Sequence, residues 1–95
     1  MTHLQTHYKA ARKLDDEAIS ALVAAIMPTL PTGLHNRRGI QKLVRCYFGQ
    51  QITLVSIRTD FRCKDAQVLE YRARVREFLG EIKQSLKVPL DIFTN

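Results

Sequence analysis

The sequence predicts a mainly α-helical domain with one short strand or hairpin, an α+β arrangement of three to four helices whose strand pairs across a dimer axis. Three observations lead there. Apolar residues recur at three- and four-residue spacing in three stretches. Gly49 interrupts the second stretch, and the seven residues that follow at 51–57, QITLVSI, are rich in β-branched side chains. Finally, 95 residues make one domain, 1–95, with room for a single modest core, so a second copy is an economical way to complete it.

Taken in order, a short polar helix is expected at 6–13. The next helix has Asp15 or Asp16 as its N-cap, with the acidic cluster at the positive end of the helix dipole. Ile19, Leu22, Val23 and Ile26 form its apolar face, and Pro28 ends it. After a turn-rich connection, PTLPTGLHNRRG, Asn36 can cap a helix with Ile40, Leu43, Val44 and Tyr47 on one side. Arg38, Lys42 and Arg45 fall roughly opposite, and Gly49 suits the left-handed residue that stops this helix.

In the strand expected at 51–57, Ile52 and Leu54 face one way and Val55 and Ile57 the other, so both faces need cover. A lone strand leaves backbone groups unpaired. Within the chain the weak candidate partner is VPLDIF, and the stronger one is a second copy. The competing reading is a continuous helix from Ile40 to Arg58 that tolerates Gly49, because short apolar runs are ambiguous. The last helix is the most regular. With Asp65 as cap, Val68, Tyr71, Val75, Phe78, Leu79, Ile82 and Leu86 form one stripe. Arg72, Arg76, Lys83 and Lys87 lie beside that stripe, and Glu70, Arg74, Glu77 and Glu81 on the far side. Gly80 marks a break between two helices, and Pro89 a stop.

The charge is unevenly distributed along the chain. Basic and acidic residues balance before residue 35 and after residue 64, whereas between them Arg37, Arg38, Lys42, Arg45, Arg58, Arg62 and Lys64 meet Asp60 alone. That segment accounts for the whole net charge of +6. A localised positive field suits a polyanion or an acidic protein surface. Arg37, Arg38, Lys42, Arg45, Arg58 and Arg62 are the candidate contacts for it. Ile52, Leu54, Val55, Ile57, Tyr71, Val75, Phe78 and Ile82 are the candidates for a dimer or partner interface.

Other classes find little support. The amino terminus lacks the order of a secretory signal, and the longest apolar run, ALVAAIM, is far too short to span a bilayer. Cys46 and Cys63 lack zinc-site spacing and read as reduced thiols of a cytoplasmic protein. His3 and His7 have no third ligand nearby, and His35 has no triad partner in view. No phosphate-binding glycine loop or nucleophile motif occurs. The expectation is a non-enzymatic protein with no cofactor, no metal, no small-molecule substrate and no membrane.

From Gly39 onward the order of features resembles the middle-operon regulator (Mor) family of Mu-like phages. FGQQI is similar to that family's glycine-marked strand entry, VREFLG to the end of the first helix of its DNA-binding motif, and EIKQSLKVP to the second helix and turn. The resemblance implies a bacterial or phage setting and a dimeric transcription regulator: a helical dimerisation region, a strand, then a helix-turn-helix. Gln50, Thr53 and Val55 stand where the family has a second glycine and an aromatic-to-proline pattern, and LDIFTN leaves six residues where a recognition helix begins. The implied protein keeps the dimerisation half without specific base reading. Two functions follow as expectations: a small homodimeric regulator of transcription that contacts nucleic acid through the central cations, or a protein-binding anti-activator that occupies another regulator's dimerisation surface.

Overall fold

Asp15 opens the first well-capped helix as its position suggests, its Oδ1 accepting the Ala18 N–H at 3.0 Å. The computed structural model describes residues 2–87, with side chains for 3–86, and its helices are α1 (Thr2–Ala11), α2 (Asp16–Ile26), α3 (Arg37–Tyr47), α4 (Leu54–Phe61) and α5 (Asp65–Lys87). Two 3₁₀ turns, Met27–Thr29 and Thr32–Leu34, connect α2 to α3. Asn36 caps α3 by accepting the Gly39 N–H at 2.9 Å. Gly49, at φ +103°, ends it. There the Gln50 N–H reaches the Arg45 carbonyl and the Gly49 N–H the Cys46 carbonyl, the paired bonds of a Schellman motif.

The predicted strand does not exist: no described residue is in a sheet, and the described residues form five helices rather than an α+β arrangement of three to four helices and a strand. Residues 50–53 only connect, and Thr53 turns the chain into a helix by accepting the Ser56 N–H on its hydroxyl at 3.2 Å. Val55 and Ile57 are therefore helical despite their β-branching, because α3 and α5 together bury Ile57 and propensity is the smaller term. The continuous helix fails as well, since the positive φ at Gly49 separates α3 from α4. With no strand, no described backbone edge is offered to a second copy. The strand candidate VPLDIF, the stop at Pro89 and the closing LDIFTN lie outside the described residues.

Three smaller corrections concern helix limits. α1 starts before residue 6 and is not merely polar, since Tyr8 and Ala11 are buried. Asp65 is not the cap of α5. Lys64 precedes the helix, accepts the Val68 N–H on its carbonyl, and gives its own N–H to Gln67 Oε1 at 2.9 Å, one arm of a capping box. α5 runs through Gly80 without a break.

The core is wholly apolar. Ile19, Leu22 and Ile26 of α2 meet Ile40, Leu43 and Val44 of α3, and α5 covers them with Val68, Val75, Leu79 and Ile82. α1 closes one end against α2 and α5, with Gln5 Nε2 donating to Ser85 Oγ at 3.0 Å. Tyr8 is 3% exposed, packs edge-on against Phe48 and Tyr47, and shares a 3.0 Å hydroxyl–hydroxyl hydrogen bond with Tyr47.

Burial, reinforced by that hydrogen bond, pushes the Tyr8 hydroxyl up to about 12 from an ordinary value of 10.0. Above pH 10 the unfolded chain has released this proton while the folded chain still holds it. Stability that is intact below pH 10 should thus fall by about 1–3 kcal/mol as pH rises toward 12. Urea unfolding from pH 8 to pH 11 should show this decline, and Tyr8→Phe should remove its part of the slope.

Candidate nucleic-acid and partner interface

Folding engages most of the central cations internally. Arg37 donates to Ser20 Oγ at 2.9 Å. Lys42 Nζ sits 2.6 Å from Asp60 Oδ2 and donates to Ser56 Oγ at 2.7 Å, which ties α3 to α4. Arg45 pairs with Asp16 at 2.5 Å, joining α3 to the start of α2. Arg58 pairs with Asp65 at 2.9 Å across the α4–α5 connection. Arg38 and Arg62 have no carboxylate partner among the described residues, and both line a groove with Asn36, Thr59, Asp60 and Phe61. Arg62 holds the left-handed conformation (φ 52°, ψ 48°) that ends α4. The stripe Arg38–Lys42–Arg45 thus runs along one helix but presents only its first member as an unpaired charge.

A second set of cations takes its place. At 100° per residue, Arg72, Arg76 and Lys83 fall within an arc of about 40° on α5, whereas Glu70, Arg74, Glu77 and Glu81 occupy the other flank of its apolar stripe. Arg74 pairs there with Glu70 at 3.6 Å. Arg72, Arg76 and Lys83 are exposed, have no carboxylate partner among the described residues, and face Leu43, Cys46 and Tyr47 of α3 across a cleft of about 240 Å³. A running count of charge hides this row, because the acids of α5 cancel it on paper while lying on the opposite flank. The helical projection is the signal that reveals it.

This cleft adjoins a larger groove of about 530 Å³, with Leu43, Cys46 and Arg72 common to both. Its walls come from α3, the 49–53 connection, α4 and the start of α5, and include Ile52, Leu54, Ile57 and Val68. The residues nominated for an apolar interface therefore separate. Ile57, Val75 and Ile82 are buried in the core of the single chain, and Ile52, Tyr71 and Phe78 are half-buried against it. Leu54 and Val55 are 38% and 58% exposed.

The two thiols are half-buried against the core. Cys46 Sγ lies 3.9 Å from the Ile52 carbonyl, and burial pushes the Cys63 thiol up, with Arg58 opposing that shift and Asp65 adding to it. Among the described residues no three His, Cys, Asp or Glu side chains converge as a metal site, and no helix is long and apolar enough to cross a membrane. No protein-family model, curated protein or solved structure matches this chain.

Proposed function

We propose that this chain is a small, non-enzymatic cytoplasmic regulator that contacts nucleic acid through its phosphates. The observation that carries the reading is the row of Arg72, Arg76 and Lys83, exposed on one flank of α5 with no carboxylate partner among the described residues. From Arg72 to Lys83 the row extends about 16 Å along the helix. Phosphates of one strand recur about every 3.4 Å of duplex axis, so several come within reach. The transcriptional setting rests on the sequence resemblance of FGQQI, VREFLG and EIKQSLKVP to Mor-family segments alone. The strand and the two-helix break of that family are not part of this fold, so the proposed contact is with backbone phosphates rather than base edges.

Binding to labelled random-sequence duplex tests the reading. Three phosphate contacts should lower affinity about 40-fold between 50 and 200 mM salt. The folded triple variant Arg72→Gln, Arg76→Gln, Lys83→Gln should lose both the binding and its salt slope. Absence of binding at 50 mM salt overturns the reading. Loss confined to Arg38→Gln, Arg62→Gln would move the contact to the other groove.

A further inference from the structure

We propose that the groove bounded by α3, the 49–53 connection, α4 and the start of α5 is a docking site for an acidic, amphipathic helical segment of a protein partner. This goes beyond phosphate contact, because it assigns a second class of ligand to an apolar surface. The floor is made of Leu43, Cys46, Ile52, Leu54, Ile57 and Val68. At about 530 Å³ the groove is of the size that takes ligand side chains. Four large apolar side chains are exposed among the described residues: Leu14, Leu54, Val55 and Leu69. Leu54 lines this groove and Val55 follows it on α4, while Leu69 shares the flank of α5 that carries Arg72 and Arg76. Of the four, Leu54 lines the groove itself and leaves an exposed apolar side chain at its wall.

Charge identifies the occupant. No carboxylate lines the groove, its one charged wall residue is Arg72, and the cleft that continues from it adds Arg76 and Lys83. A second copy of this chain docking by the same face would bring like charges together across a two-fold axis, which disfavours self-association there. A nucleic-acid strand would find an aliphatic floor with no aromatic ring for a base to stack on. An amphipathic helix with leucine-like anchors and flanking Asp or Glu satisfies both parts of the site: anchors enter the groove, and carboxylates meet the cation row.

The probes are three labelled peptides. One is a helical peptide with Leu at i, i+4 and i+7 and Glu elsewhere on the solvent face, the second carries Lys in place of Glu, and the third is a scrambled acidic isomer. Fluorescence anisotropy at physiological salt should show the acidic amphipathic peptide binding at least about tenfold tighter than either control. Leu54→Asp should weaken it about tenfold or more. That site is exposed and opens α4, where an acidic residue suits the helix dipole, so the thermal unfolding of the variant should match the parent. Arg72→Glu should weaken the acidic peptide and strengthen the Lys peptide. In ¹⁵N spectra the amides of Ile52, Thr53 and Leu54 should shift on binding. Equal binding of the scrambled peptide would reduce the site to charge alone and overturn the proposal. So would no binding, unshifted groove amides, or indifference to Leu54→Asp.

Discussion

Gly39→Ala should destabilise the protein by about 1–2 kcal/mol, whereas Gly80→Ala should stabilise it by about 1 kcal/mol. Both glycines are helical, and in both places alanine gains helix propensity. They differ in what lies above them. A Cβ on Gly39 would run into the Phe61 ring, while one on Gly80 would meet nothing within 4 Å. Phe61 has little freedom to retreat. Its ring packs edge-on against Tyr71 at 5.0 Å, and Asn36 Nδ2 donates to the carbonyl of the preceding Asp60 at 2.6 Å. The steric term at Gly39 should therefore exceed the propensity gain. Urea denaturation of the two variants should separate their midpoints in opposite directions from the parent, and a stabilised Gly39→Ala would show that α4 can shift away from α3.

Lys42→Met should cost about 2–3 kcal/mol, the effect expected when one partner of a largely buried ion pair is removed. The Asp60 side chain is 12% exposed and Lys42 26%. Asp60 Oδ2 is buried and has no hydrogen-bond partner apart from this ion contact, so the variant leaves a carboxylate oxygen without compensation. The double variant Lys42→Met, Asp60→Leu should recover to within about 1 kcal/mol of the parent, because an apolar pair of similar size removes the uncompensated charge. The other pairs are more exposed, with Asp16 at 83% and Arg58 at 42%, and each should contribute less than about 1 kcal/mol. Equilibrium unfolding of the single and double variants measures the coupling. A Lys42→Met cost below about 0.5 kcal/mol would mean that water reaches the carboxylate.

The elements legible in the sequence are those determined by local chemistry. Asp15, Asn36 and Gly49 each act on backbone groups within five residues, so the start of α2 and both ends of α3 could be placed from residue type and spacing. α4 was hidden because a short apolar run with β-branched residues fits either a strand or a helix. What decides is Thr53 as cap and the burial of Ile57 by distant parts of the chain. Gly80 suggested a break because its propensity cost is local, whereas Val75, Leu79 and Ile82, which hold that part of α5 in the core, derive their stability from long-range packing.

The site was legible in part for the same reason. The excess of central cations can be read from the sequence, but not that Arg45 would meet Asp16, 29 residues earlier, or that Lys42 would lie against Asp60. The row on α5 is legible by helical projection, which places Arg72, Arg76 and Lys83 beside the apolar stripe, but their exposure and their lack of a carboxylate partner among the described residues are not. The apolar groove depends on four segments meeting, and no periodicity within one of them implies it.

The contact of α1 with α5 has a consequence for the order of events during synthesis. Gln5 and Ser85 are 80 positions apart, so α1 receives its final cover from a helix made 80 residues later. At about 5–20 residues per second, that interval lasts about 4–16 s. For that time α1 can rest on α2, but its α5-facing side stays uncovered, a transient sticky surface on the nascent chain. α2 and α3 wait for the same helix, because Val68, Val75, Leu79 and Ile82 of α5 complete their shared core, so the surface of α1 to α3 that α5 covers is open to a chaperone or to a neighbouring nascent chain until then.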